Sequence, residues 1–162
     1  MWLHVEKSSS RRARLYEDVR YELRQLQRLA ADARTHTDVS EPERSRWEAA
    51  AAAKYVSDVC AGLENLCKRR NAFLNIATPA GPDSHIRILE DFLATPDLGG
   101  RLAPELGLRL KRYLRFRHRF IHGYAFEISW EMVSEPLSQL PETVEKLAEV
   151  WTAWLARLTE EI

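Results

Sequence analysis

Few residues in this chain can form disulfides or tight turns. Only two cysteines, Cys60 and Cys67, and only 6 Gly and 7 Pro occur among its 162 residues. In a helix, two turns separate these cysteines by roughly 10 Å, which is beyond disulfide reach, so we expect reduced core thiols. So few glycines and prolines, the residues that favour turns, also argue against a sheet of many strands.

The chain also lacks long apolar runs and a net charge. No window approaches the roughly 18 uninterrupted apolar residues of a transmembrane helix, and residues 1–6 do not resemble the start of a signal peptide. The 24 basic and 24 acidic residues cancel, which argues against bulk electrostatic coating of nucleic acid. We therefore expect one cytoplasmic domain over residues 1–162, with no membrane association, whose function depends on a local site.

Apolar residues recur at three- and four-residue steps in five segments. This pattern predicts an all-α helical bundle of four long helices plus a short helix. The first helix is expected over residues 11–34, with Ser10 as its N-cap. The second is expected from Pro42 to about Ala77, with Trp47 on its inner face.

The remaining helices are marked by caps and prolines. Their predicted starts are Asp83 or Ser84 for the short third helix, Pro104 for a fourth helix that reaches Gly123, and Pro136 or Pro141 for the last helix. Ile86 is expected to be buried in the third helix. Residues 125–130 are expected to form an extended connection or a continued helix. Three tryptophans are expected to be core or interface anchors: Trp130, Trp151 and Trp154.

Charge is distributed unevenly along the chain. Residues 106–126 contain six cations and no acid, whereas residues 127–162 contain eight glutamates and two cations. The two segments could neighbour each other and cancel as surface ion pairs. The six cations are spread around the predicted fourth helix, however, and one acidic neighbour cannot cover them all. Some of them should face solvent or a polyanion.

The segment from Arg115 to Tyr124, RFRHRFIHGY, concentrates groups that bind phosphate or move protons. Guanidiniums bind phosphate through two parallel hydrogen bonds, and imidazoles titrate near neutrality. A neutral imidazole can take the proton of a 2′-hydroxyl, and an imidazolium can protonate the leaving 5′-oxygen. A fixed arginine can stabilise the charge that builds on the phosphorane. This inventory suits RNA cleavage without a metal ion.

The string Arg117-His118-Arg119-Phe120-Ile121-His122-Gly123-Tyr124 resembles the signature of the HEPN superfamily, and more closely that of the HepT-like toxins. That signature is Arg, a polar residue, three more residues, His, any residue and Tyr. The segment around Glu64 is similar to the Glu-containing helix that precedes the motif, and residues 126–131 resemble the segment that follows it. The resemblance covers most of the chain from about Trp47 onward.

The resemblance implies the toxin of a type VII toxin–antitoxin system, an endoribonuclease that needs neither metal nor cofactor. Its cleft would form across a homodimer, so that both copies of Arg117 and His122 line one groove. A small nucleotidyltransferase antitoxin of the MNT type would add adenylyl groups to Tyr124 and silence the enzyme. Some relatives have Arg just before the motif histidine, where this chain has Ile121, which would weaken the grip on RNA or change the RNA preference.

The candidate site residues fall into four groups: catalytic Arg117, His122 and His118; RNA-binding Arg112, Arg115 and Arg119; the modification site Tyr124; and Glu64, an acid that orients Arg117. No cysteine or histidine cluster has zinc spacing, so no metal site is expected. On a straight helix Arg117 and His122 point roughly 140° apart. Either the helix unwinds near Gly123 or a second protomer supplies complementary groups.

Each candidate has a structural alternative. His118 could be a surface residue, and His122 could bond a backbone carbonyl at a helix end. Tyr124 could be an ordinary boundary tyrosine, and Glu64 could be a solvated glutamate. His85, next to the third helix cap, is assigned to local structure. For the whole chain, the alternative is a non-catalytic helical module whose basic segment binds RNA or an acidic partner protein.

Overall fold

The structure, a computed structural model, describes the backbone of residues 2–37 and 45–160, and side chains over residues 9–37 and 45–159. Its elements are α1 (Trp2–Thr37), α2 (Arg46–Leu74), α3 (Ser84–Ala94), α4 (Pro104–His122) and α5 (Trp130–Glu160), with single 3-10 turns at Gly99–Arg101 and Ala125–Glu127. The predicted all-α bundle of four long helices and one short helix is confirmed. Among the described helices, none combines the length and apolarity that a membrane crossing requires.

Helix α2 is the central element of the bundle. It packs against α1, α4 and α5, while α3 contacts both α2 and α4. Small residues allow the close approach of α1, because a Cβ atom built on Gly62 would lie 2.6 Å from the side chain of Leu26. Cys60 and Cys67 are buried free thiols in α2, as expected. Because α2 packs against α4, side chains of these two helices can meet at one site.

The start of α2 differs from the prediction. The helix begins at Arg46, where Ser45 and Glu48 form a capping box, while Pro42 lies outside the described residues. Trp47 is 87% exposed rather than buried. The predicted inner face follows four-residue steps, which drift by about 40° each on an α-helix. Over the three steps from Trp47 to the buried Val59, this drift turns Trp47 away from the core.

The predicted end of α2 and the predicted start of α1 were also wrong. Helix α2 ends at Leu74 instead of Ala77, because Asn75 adopts the left-handed conformation (φ 55°) that asparagine tolerates at helix ends. Helix α1 begins at Trp2, so the predicted cap Ser10 lies inside it. No proline or glycine interrupts residues 2–10, and serine lowers helix stability only moderately.

The last helix begins earlier than predicted, because α5 starts at Trp130 and contains both Pro136 and Pro141. Each internal proline costs roughly 3 kcal/mol. A continuous buried stripe on both sides offsets that cost at about 1.5–3 kcal/mol per large apolar side chain: Val133, Leu137, Leu140, Val144, Leu147 and Trp151. The carbonyl of Pro136 also accepts a hydrogen bond from the buried Tyr113 hydroxyl at 2.7 Å.

The connection between α4 and α5 is neither a continued α-helix nor a fully extended segment. Residues 125–127 form a single 3-10 turn, flanked by extended backbone at Tyr124 and Ile128. The predicted helix from Pro104 to near Gly123 is confirmed, and Gly123 is its C-cap. In α3, Leu89 and Phe92 are buried, but Ile86 is exposed and not buried as predicted, because it lies about 120° from Phe92 around the helix.

Two tryptophans allow a matched test of this packing. Trp151 is fully buried, stacks on Phe92 and contacts the edge of Trp154, whereas Trp47 is exposed. We expect Trp151→Ala to lower the free energy of unfolding by about 3–5 kcal/mol, because it removes a large core side chain and leaves a cavity. Trp47→Ala should change it by no more than about 0.5 kcal/mol. Urea denaturation followed by circular dichroism measures both. Equal losses would contradict the packing described.

Candidate functional site

The helical periodicity of α4 places Arg117 on the face that packs against the bundle. Leu110 and Tyr113 are buried in this helix, and Arg117 continues their stripe one turn later. The Arg117 side chain is consequently only 15% exposed. An inward arginine needs a partner with negative charge, because an unpaired buried charge is costly.

That partner is Glu64 of α2, whose side chain is 11% exposed. Arg117 Nη1 lies 3.4 Å from Glu64 Oε2, so the contact expected from the sequence is present. Lys68 Nζ lies 2.5 Å from the other carboxylate oxygen, and His85 Nδ1 lies 2.6 Å from Oε2. We call these four residues the Glu64 cluster. The Glu64 carboxylate therefore contacts side chains from α2, α3 and α4, and Glu64 is not a solvated glutamate.

His85 competes with Arg117 within this cluster. Its Nδ1 atom is 2.6 Å from Glu64 Oε2 and 3.1 Å from Arg117 Nη1. A ring nitrogen either donates or accepts, so it cannot hold both partners in one protonation state. The shorter contact favours a ring N–H that donates to the carboxylate. In that state Arg117 keeps only its longer contact with Glu64, at 3.4 Å.

Burial alone would raise the pKa of Glu64, but hydrogen bonds from Lys68 and His85, together with their charges, lower it overall. Glu64 is therefore ionised at neutral pH. Cys60 lies behind the cluster, and burial raises its pKa to about 12. A thiol with so high a pKa is not a nucleophile at neutral pH.

His118 and His122 form a second group on a different face of α4. They are one turn apart, both are exposed, and their ring centroids are 4.5 Å apart. Helix α4 remains regular to its end, since the N–H of Gly123 still bonds the carbonyl of Arg119 at 2.8 Å. The alternative of an unwound helix is therefore excluded. Within one protomer, Arg117 faces the bundle while His122 faces outward.

The basic face of α4 is only slightly neutralised by α5. Arg109 forms an ion pair with Glu142 at 2.7 Å. Three further arginines are exposed and have no carboxylate within ion-pair distance in the part of the chain that the structure describes: Arg112, Arg115 and Arg119. Cancellation by the acidic C-terminal segment thus accounts for one cation of the six, and the exposed arginines flank the histidine pair.

Tyr124 lies just beyond the helix end. Its side chain is 71% exposed, and its ring stacks on that of Phe126, which is 64% exposed, with a centroid distance of 5.3 Å. The phenol is accessible to a modifying enzyme.

Comparison with known families identifies the chain. Residues 51–158, two thirds of its length, match the family described as HepT-like protein. This chain is a HepT-like protein of the HEPN superfamily. Membership indicates a toxin-type function. Comparison with curated proteins and with solved structures gave no match.

Sequence reasoning missed two members of the Glu64 cluster of this HepT-like domain, Lys68 and His85. His85 was assigned to local structure, but it bonds Glu64, 21 positions away. The signal was present in the sequence, because His85 lies four and seven residues before the buried Leu89 and Phe92, on the same face of α3. In the described residues of this HepT-like chain, no group of three or more His, Cys, Asp or Glu side chains could hold a metal ion.

The lowered pKa of Glu64 has a consequence for stability. Its contacts stabilise the fold above the ordinary carboxyl pKa of 4.5, and this stabilisation is lost as the pH falls through the lowered value. Below about pH 4.5, we expect the free energy of unfolding to fall more steeply in the parent than in Glu64→Gln, which has no carboxylate to protonate. Urea denaturation between pH 7 and pH 3 measures the slopes. Glu131→Gln, at an exposed position, should follow the parent; a Glu64→Gln curve parallel to the parent would contradict the expectation.

Proposed function

We propose that this HepT-like protein is the toxin of a type VII toxin–antitoxin system and cleaves cytoplasmic RNA without a metal ion. The observation that carries the proposal is the geometry of the motif at the end of α4. The ring centroids of two exposed imidazoles lie 4.5 Å apart, and Arg117 is held by Glu64 at the adjacent face. These are the groups that phosphodiester cleavage by the 2′-hydroxyl requires.

The proposed reaction is an intramolecular displacement. One imidazole, assigned to His122, accepts the proton of the 2′-hydroxyl as the 2′-oxygen attacks phosphorus. The bond from phosphorus to the 5′-oxygen breaks, and a second protonated imidazole, assigned to His118, donates a proton to that oxygen. The products are a 2′,3′-cyclic phosphate and a free 5′-hydroxyl. Arg117 stabilises the charge on the phosphorane, and Arg112, Arg115 and Arg119 bind flanking phosphates.

A homodimer completes this site in the proposal. Arg117 and His122 face roughly 140° apart on a helix that stays regular, so one protomer cannot easily present both to a single phosphate. A two-fold axis beside the end of α4 would bring the histidines of one protomer toward Arg117 of the other. The cleft would then contain two copies of each group.

Accessibility supports neutralisation through Tyr124. The partner in the proposal is an MNT-type nucleotidyltransferase, which transfers adenylyl groups from ATP to the phenolic oxygen and releases pyrophosphate. The added phosphodiester would lie two residues from His122, where the RNA backbone must bind. Repulsion between like charges and steric occlusion would both oppose the substrate.

The first test is substitution in the motif. Arg117→Ala and His122→Ala should each lower RNA cleavage by at least about 100-fold, because each removes a group that acts in the transition state. Expression of the parent should arrest growth, and both variants should relieve the arrest. Arg28→Ala, at an exposed position of α1, is the matched control and should remain toxic. Cleavage is measured on single-stranded RNA in the presence of EDTA, with the product ends identified by mass spectrometry.

Mixing the two inactive variants tests the dimer. A dimer of Arg117→Ala with His122→Ala retains one intact arginine opposite one intact histidine, so co-refolding should restore part of the activity. Light scattering should give a dimer at micromolar concentration. Variants as toxic as the parent would exclude the catalytic assignment and favour the non-catalytic binding module. A monomer, or no complementation, would exclude the shared cleft.

Tyr124→Phe tests the regulation separately. We expect this variant to retain RNA cleavage within about twofold, because the phenol transfers no proton in the proposed reaction. Co-expression with a cognate nucleotidyltransferase should raise the mass of the Tyr124 peptide by whole adenylyl units in the parent only, and the variant should stay toxic. If the variant is inactive, the phenol takes part in catalysis. If the variant is still silenced, the antitoxin acts by binding or at another residue.

A further inference from the structure

The two exposed rings after α4 form a preformed flat surface. Tyr124 and Phe126 are nearly parallel, with 7° between their planes and 5.3 Å between their centroids. More than half of each side chain is exposed. Exposed aromatic rings lack the hydrophobic stabilisation that burial would provide. Two such rings stacked at one place therefore indicate a binding surface. We call Tyr124 and Phe126 the aromatic pair.

The backbone around the aromatic pair is held rather than loose. The carboxylate of Glu127 accepts the N–H of Tyr124 at 3.2 Å, and the N–H of Glu127 donates to the carbonyl of Tyr124 at 2.9 Å. Ile128 is buried and anchors the far end of the turn. At Gly123 a Cβ atom would lie 2.8 Å from both the Arg119 carbonyl and the Glu127 carboxylate. The glycine thus permits the close approach of this turn to the end of α4.

The surroundings of the aromatic pair indicate the chemistry of the ligand. Immediately before it, the end of α4 carries the histidine pair and the exposed Arg115 and Arg119. A flat apolar surface beside cations matches a nucleotide, which joins a flat base to an anionic phosphate. Aromatic rings bind unpaired bases by stacking, whereas paired bases in a duplex have no free face to offer.

We propose that the aromatic pair is a stacking site for one unpaired nucleobase of the RNA, next to the phosphate that His118 and His122 serve. This inference rests on the proposed function, since it concerns the same substrate. It adds that the enzyme selects single-stranded RNA by binding an unpaired base, in addition to the phosphate at which the reaction takes place. Phe126, which has no role in proton transfer or modification, supplies the binding surface independently of catalysis.

The experiment pairs substitutions at Phe126 with removal of single bases. The probe is a fluorescein-labelled, single-stranded 2′-O-methyl RNA decamer, which cannot be cleaved because it has no free 2′-hydroxyl. A series of decamers carries one abasic nucleotide at each position in turn. Dissociation constants from fluorescence anisotropy are compared for the parent and for Phe126→Ala, Phe126→Leu, Phe126→Trp and Tyr124→Phe.

Stacking predicts a specific pattern. Phe126→Ala and Phe126→Leu should bind the intact decamer about tenfold more weakly, while Phe126→Trp and Tyr124→Phe, which keep a flat ring, should bind like the parent. One abasic position should weaken binding to the parent by a similar factor, and it should have no further effect on Phe126→Ala. A duplex of the same sequence should show no dependence on Phe126.

Several results would overturn the inference. Parent-like binding by Phe126→Ala would exclude a base contact, and parent-like binding by Phe126→Leu would indicate a general apolar contact instead of stacking. A change of oligomeric state in light scattering, with unchanged binding of the decamer, would assign the aromatic pair to a protein interface. Because binding is measured without cleavage, absence of ribonuclease activity in the parent would reject the proposed function while leaving this test intact.

Discussion

The candidate site depends on a carboxylate that is largely removed from water. Glu64 of α2 faces α3 and α4, and it remains ionised because Lys68 and His85 supply charge and hydrogen bonds. Without these partners the buried charge would be costly, and without the carboxylate the inward Arg117 would be equally costly. The contact between Glu64 and Arg117 therefore fixes α2 and α4 relative to each other at this point. This places the end of α4, with its histidines, at a defined position relative to the bundle.

The Glu64 cluster also divides α4 into two functional faces. The inward face continues the buried stripe of Leu110 and Tyr113 and ends in Arg117, whose position is set by neighbouring helices. The outward face presents the histidine pair, whose rings contact each other and solvent. One face is ordered by packing and the other remains available to a ligand. A reaction that needs a fixed arginine and accessible imidazoles fits this division, and in the proposed dimer a second protomer would bring the two faces together.

Sequence periodicity predicted the fold well, but it placed individual side chains less well. The helix starting at Pro104 and the burial of Trp151 follow from local apolar spacing, which is a property of one element. Trp47 was misplaced because four-residue steps drift around a helix, and Pro136 because a continuous apolar stripe outweighed the local preference of proline. The contact of His85 with Glu64 depends on how two helices pack. Spacing within one helix shows which face His85 occupies but cannot show what that face meets.

The position of Tyr124 connects substrate binding with regulation in the two proposals. The tyrosine forms half of the aromatic pair, and its hydroxyl is accessible. An adenylyl group on that hydroxyl would bring an adenine and a phosphate, which are the same two components that the proposed site would take from RNA. The adenine has a face for stacking on Phe126, and the phosphate could be held by Arg119 or by the histidine pair. Covalent attachment gives such a group a high effective concentration at the site. Modification would then inhibit as an attached nucleotide that fills the binding site, in addition to repelling the RNA backbone.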